Sequence, residues 1–220
     1  MAEQPEPTKV KICGVTRLED ADLAVSLGVW AVGMIFYEAS PRRCSLEQAQ
    51  AISQALRRKV ELVGVFVNES LPRIASVAEQ LQLSIVQLHG DEGPSFCAEV
   101  ARRTGAKVCK AAQVSGAGDV QDLERFHVDY HLVDAKGDRG LRGGTGSTFD
   151  WTLLSGRRSK VPLILSGGLA SENVADAIAT VRPFAVDVAS GVEEAPGRKD
   201  EAKLKAFFDA VAGASVEVAA

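Results

Sequence analysis

A cysteine and an aspartate each stand near the end of an apolar run of strand length: Cys13 in Val10–Cys13 and Asp134 in His131–Ala135. A thiol so placed is either a small buried hydrophobe or, beside a positive charge or dipole, a thiolate able to take a proton. Gly14 follows it and permits a ligand or backbone to come close. The aspartate is either a turn former or, aimed into a partly dry cavity, a general acid. Delivered from opposite sides of one site, a thiol and a carboxyl make an acid–base pair. Arg42, in Ser40-Pro41-Arg42-Arg43, is either a solvated charge or a planar fork that grips a carboxylate, in a loop that Pro41 stiffens. Two late stretches, Val161–Leu169 (VPLILSGGL) and Ala185–Val192 (AVDVASGV), run from strand pattern into small residues and then into helical pattern. Backbone N–H groups in such turns can seat an anion.

Positioning these groups takes a repeated strand–helix unit. Strands are expected at Lys9–Cys13, Trp30–Phe36, Glu61–Val67, Ser84–His89, Lys107–Val114, Tyr130–Ala135, Leu163–Ser166 and Phe184–Ala189. Helices are expected over Leu18–Leu27, from the Ser45 cap to Arg57, and over Leu71–Leu81, Pro94–Arg103, Asp119–Phe126, Asp150–Gly156, Ser171–Thr180 and Lys199–Val211. Eight alternations without a break in composition predict an α/β fold, a single-domain (β/α)8 TIM barrel over residues 9–212, with tails at 1–8 and 213–220. An open doubly wound sheet is the alternative, but it would place its glycine-rich phosphate turn early in the chain. Alternation along the strands turns Lys11 and Cys13 to the side opposite Val10 and Ile12, and Gln87 and His89 to the side opposite Val86 and Leu88. The helix-facing side of a barrel is apolar, so Cys13, His89, Asp134 and Asp187 are expected on one inner rim.

Composition narrows the partners. A net charge of −4 over 220 residues lacks the basic excess of a nucleic-acid surface, and no apolar run reaches membrane-spanning length. Cys13, Cys44, Cys97 and Cys109 are scattered, with no zinc spacing; the N-terminus has no apolar signal core. Reduced thiols and a cytoplasmic location are expected. The Gly143–Gly146 run lacks the GK[ST] ending of a nucleotide loop and reads as part of a rim loop, Lys136–Ser147. His127 and His131 have no metal-ligand partners at suitable spacing and are expected at the surface or in the core.

Taken in order, KICGVT (Lys11–Thr16), SPR (Ser40–Arg42), GVFVN (Gly64–Asn68), QLHGDE (Gln87–Glu92), LVDA (Leu132–Ala135), GGTG with FDW (Gly143–Trp151), SGGL (Ser166–Leu169) and DVASGVE (Asp187–Glu193) resemble the phosphoribosylanthranilate isomerases of tryptophan biosynthesis along nearly the whole chain. The chain departs from the family pattern in two places: at Ala189, where serine is common, and at Arg43-Cys44 after SPR. The resemblance implies an Amadori rearrangement of N-(5-phosphoribosyl)anthranilate to 1-(2-carboxyphenylamino)-1-deoxyribulose 5-phosphate, needing no metal or organic cofactor. It further implies Asp134 as general acid, Cys13 as general base and Arg42 as holder of the anthranilate carboxylate. The backbone at Gly167, Gly168, Ser190 and Gly191 would hold the phosphate. Gln87, His89, Gly144 and Asp187 are further candidate substrate contacts. The expected partner is this small molecule alone, with neither nucleic acid nor membrane, and the chain is expected as a monomer, with a homodimer as the alternative. Other readings are a ribosyl-aminoimidazole isomerase, which would carry a carboxylate at position 13, and a non-catalytic sugar-phosphate-binding barrel acting through a partner.

Overall fold

The computed structural model describes residues 6–135 and 150–219, with side chains described through 214. The Lys136–Ser147 rim loop, Gly144 and the rest of the Gly143–Gly146 run lie outside the described residues. Eight parallel strands close into a barrel in chain order: β1 (Lys9–Cys13), β2 (Ala31–Ile35), β3 (Glu61–Phe66), β4 (Ile85–Leu88), β5 (Lys107–Val114), β6 (Tyr130–Ala135), β7 (Leu163–Leu165) and β8 (Ala185–Val188). The closure is the pairing of β1 with β8, in register Lys11 opposite Asp187.

Helices α1 (Leu18–Ser26), α2 (Leu46–Leu56), α3 (Leu71–Leu81), α4 (Pro94–Thr104) and α5 (Ala117–Leu123) connect the first six strands. A 3-10 turn (Trp151–Gly156) precedes β7, α6 (Val174–Val181) precedes β8, and α7 (Glu201–Ala219) ends the described chain. Local chemistry sets several of these boundaries. The Ser45 hydroxyl accepts from the Gln48 N–H at 3.1 Å, and the Gln48 side chain accepts from the Ser45 N–H at 2.8 Å, a complete capping box for α2. Pro94 starts α4 and Gly105 (φ +68°) ends it.

The alternation of strand side chains divides the core into two layers. Val10, Ile12, Val86, Leu88, Val133, Val186 and Val188 face the helices. Cys13, Val63, Val65, Ile85, Cys109, Ala111, Leu132, Ile164 and Ala185 fill the barrel. At the N-terminal end of the strands Trp30 meets Tyr130 and Phe184 edge-on, with ring centroids 5.5 and 5.2 Å away. Aromatic packing therefore occupies that end, and the polar residues gather at the other.

Three local expectations are corrected. The helix after β7 begins at Val174, not Ser171: Asn173 accepts from the Ala170 N–H at 2.9 Å and donates to the Gly168 carbonyl at 2.9 Å, holding a turn ahead of it. The final helix runs through Gly213 to Ala219, where a tail was expected from 213; buried Val211 and Ala214 keep its inner stripe against the core. A small antiparallel hairpin, β9 (Glu193–Ala195) with β10 (Arg198–Lys199), follows β8, so Lys199, expected to open the final helix, lies in a strand and the helix begins at Glu201.

Candidate active site

At the C-terminal end of the strands a cleft of about 280 Å³ is lined by Cys13, Arg42, Gln87, His89, Asp134, Ser166, Asp187 and Ala189, with Ile35, Tyr37, Val65 and Val67 as its apolar wall. This is where a TIM barrel carries its chemistry. Cys13 ends β1 and Asp134 lies near the end of β6, so thiol and carboxyl reach the cleft from separate sides of the barrel. A larger cleft, about 650 Å³, lies around Trp151, Arg157, Lys160, Arg182 and Phe184 and holds none of the sequence-predicted site residues. It is larger, but the convergence of thiol, carboxyl and guanidinium makes the smaller one the candidate site.

Asp134 faces a histidine. His89 Nε2 stands 3.4 Å from Asp134 Oδ2, and its Nδ1 is 3.0 Å from Gln87 Nε2. With that amide nitrogen donating, Nδ1 accepts and the ring proton sits on Nε2, toward the carboxyl. Gln87 and His89 share one face of the β4 path, as alternation requires, and Asp134 shares the inner face of β6 with Leu132.

Cys13 sits beside a buried ion pair. Lys11 Nζ lies 2.8 Å from Asp187 Oδ1, and both side chains are almost wholly buried. Burial pushes the Lys11 ammonium down, but the Asp187 carboxylate and the neighbouring thiol outweigh it, so the net shift is upward. Burial pushes the Cys13 thiol up; Lys11 and Lys199 pull back against this, while Asp187 adds to it. Burial likewise takes Cys44 and Cys109 to about 12 and Cys97 to about 11, with Lys11 and Lys110 pulling against it at Cys109. Among the described cysteines, Cys13 alone lines the cleft.

Arg42 crosses the end of β1. Gly14 has φ +70°, and a Cβ there would lie 2.7 Å from Arg42 Cδ, so glycine is what lets the arginine stem pass. Its guanidinium is held by Glu193: Nε lies 2.9 and 3.1 Å from the two carboxylate oxygens and Nη2 lies 2.8 Å from one. This pairing uses the side edge of the fork and leaves the Nη1/Nη2 end edge for another acceptor.

The four backbone positions expected to take phosphate lie just past Ser166 and Ala189, in the turns after β7 and β8. Gly167 has φ +91°, and a Cβ there would come within 2.3 Å of the Ala135 backbone nitrogen; Gly168 also has positive φ, +63°. Gly191 packs tightly on the Leu169 carbonyl, and Ser190 opens a short 3-10 turn, Ser190–Val192. Two other sequence motifs turn out to be braces. Glu92 accepts from the Asn68 and Gly90 N–H groups at 2.7 and 2.8 Å and from buried Lys110 at 2.9 Å, tying the loops after β3 and β4 together. His131 is fully buried, its Nε2 2.8 Å from the Phe126 carbonyl.

The family model for N-(5'-phosphoribosyl)anthranilate isomerase matches residues 10–210. The chain belongs to the phosphoribosylanthranilate isomerase family. A member from Pelobacter propionicus is 46% identical over 91% of this chain and 93% of its own. One from Geobacter metallireducens is 44% identical over 91% and 96%. The crystal structure of the Thermotoga maritima isomerase superposes with a TM-score of 0.84 at 45% identity, over 94% of this chain and 99% of that one. Another family structure, with 43% identity, a TM-score of 0.80 and coverage of 94% and 99%, is a complex with reduced 1-(o-carboxyphenylamino)-1-deoxyribulose 5-phosphate. The closed eight-stranded barrel is thus the family fold. Among the described residues no helix is long and apolar enough to cross a membrane.

The residues that the sequence reading missed are Glu193 and Lys199. Glu193 appeared only as the last letter of a phosphate motif, and Lys199 only as the start of a helix. Charges of opposite sign on either side of the Pro196-Gly197 turn were the available signal, since a buried charge needs a partner.

Proposed function

We propose that this protein carries out the Amadori rearrangement of N-(5'-phosphoribosyl)anthranilate, and that the thiol and carboxyl converging on one cleft are its base and acid. That convergence of Cys13 and Asp134 carries the reading, together with family membership. Asp134, holding a proton, gives it to the furanose ring oxygen as the C1–O bond breaks and the anthranilate nitrogen lone pair forms the C1=N bond. The resulting iminium acidifies the hydrogen at C2. Cys13, as thiolate, removes that proton and leaves an enolamine, which takes a proton at C1 as its C2 hydroxyl gives one up, yielding the ketone and returning the thiol and the carboxylate to their starting states. His89, with its ring proton toward Asp134, donates to the carboxylate left after the first transfer. Positioned acid and base groups contribute about 10²–10⁴-fold each.

The open end edge of Arg42 takes the anthranilate carboxylate through two parallel hydrogen bonds. Gly167, Gly168, Ser190 and Gly191 offer backbone N–H groups to the phosphate, so the alanine at 189 takes away only a side-chain hydroxyl from that end. Gln87 acts through His89, and Asp187 acts through Lys11. Oligomeric state does not enter this chemistry, and a monomer satisfies it.

Titration calorimetry with the reduced product analogue tests the reading. One-to-one binding, competitive with substrate, is expected for the native protein. Arg42→Ala should weaken it roughly 10–100-fold, the loss of charge-assisted hydrogen bonds. No binding by the native protein, or equal binding by the variant, would contradict the assignment.

A further inference from the structure

Beneath Arg42 and Cys13 lies a charge cluster that touches no part of the substrate in the scheme above. Glu193 and Lys199, from the two strands of the β9–β10 hairpin, are both almost fully buried. The Glu193 carboxylate receives Arg42 on one side, Lys199 Nζ at 2.9 Å and the Gly197 N–H at 3.2 Å. Lys199 Nζ in turn donates to the Cys13 carbonyl at 2.6 Å and the Ala189 carbonyl at 3.1 Å. Three acceptors need three N–H groups, which only the ammonium has. Burial works against that charge and lowers the lysine; Glu193 works to keep it. The hairpin is itself tied down, since the Lys199 N–H donates to Asp20 of α1 at 3.1 Å.

Two consequences follow from this wiring. A carboxylate on the side edge of a guanidinium fixes both its plane and the direction of its end edge, which a single-point contact cannot do. With Arg42 and Lys199 positive against one Glu193, the cluster keeps a net charge of +1, so Arg42 remains attractive to an anion although it is already paired. Lys199 links this guanidinium to the end of β1, where the thiol sits, and to Ala189, which leads into the Ser190-Gly191 turn. We propose that Glu193 and Lys199 are positioning residues for the isomerisation. Glu193 aims the Arg42 edge that captures the substrate carboxylate, and Lys199 fastens that aim to the Cys13 main chain. The inference rests on the roles given to Arg42 and Cys13 under the proposed function.

A double-mutant cycle between Glu193→Gln and Arg42→Ala, read as KM and kcat on phosphoribosylanthranilate, tests the first half. Glu193→Gln should raise KM on the order of tenfold, the worth of one charge-assisted contact. In the Arg42→Ala background the same change should leave KM within about twofold, because coupled residues are non-additive. Lys199→Met should lower kcat and raise KM together, and Lys199→Arg should restore part of both. A merely structural role would lower thermal stability with KM and kcat of the folded protein unchanged. Equal KM increments in both backgrounds would overturn the role of Glu193, and this arm stands even if Lys199→Met fails to fold. An active native protein with an additive cycle refutes the positioning alone, whereas an inactive native protein refutes it together with the isomerase reading.

Discussion

Asp134→Asn is expected to lower kcat by about 10²–10⁴-fold while leaving the fold intact. Asparagine has the same shape and can still face His89 Nε2, now 3.4 Å from Asp134 Oδ2, with an acceptor oxygen. It cannot release a proton to a ring oxygen. The substitution therefore removes the acid and keeps the packing, so stability and circular dichroism should match the native protein. Near-native turnover would return Asp134 to the role of a strand-end turn former. A loss confined to KM would make it a binding group.

Cys13→Ser should cost a comparable factor, about 10²–10⁴ in kcat, because a hydroxyl at this site is far too weak an acid to ionise. Cys13→Ala separates the two roles that a buried cysteine can play. If Cys13 were only a small hydrophobe in the barrel, alanine would keep turnover and lose at most a little stability. If it is the base, alanine is as inactive as serine. Alkylation of the native thiol offers a check on its ionisation. Burial raises this group, so the alkylation rate should climb with pH through a midpoint above that of a free thiol. Lys11→Met should move the midpoint higher still, since it removes a cation that favours the thiolate and leaves Asp187 in place.

The barrel was legible because its signals are local. The limits expected for α3, β5 and β6 match those observed, and the Ser45–Gln48 box was readable three residues apart. The inner rim followed from period-two alternation, which places Cys13, His89, Asp134 and Asp187 at one cleft. What escaped depends on closure. Lys11 and Asp187 are 176 positions apart and meet only because β1 pairs with β8. Arg42 and Glu193 are separated by 151 positions, and Lys199 and Cys13 by 186. No window of sequence contains such pairs. The C-terminal helix was cut short for a different reason: Gly213 and its small neighbours look like an ending, yet a single glycine costs a helix only about 1 kcal/mol, and buried Val211 and Ala214 carry the inner stripe across it.

The central claim is that one cleft isomerises phosphoribosylanthranilate with Cys13 and Asp134 as its proton-transfer groups. The most direct measurement follows the fluorescence of phosphoribosylanthranilate, generated in situ, in the presence of the native protein, Cys13→Ser and Asp134→Asn. Rapid loss with the native protein and little with either variant is the predicted result. A well-folded native protein that leaves the fluorescence unchanged, or variants that consume substrate as fast as it does, would contradict the account.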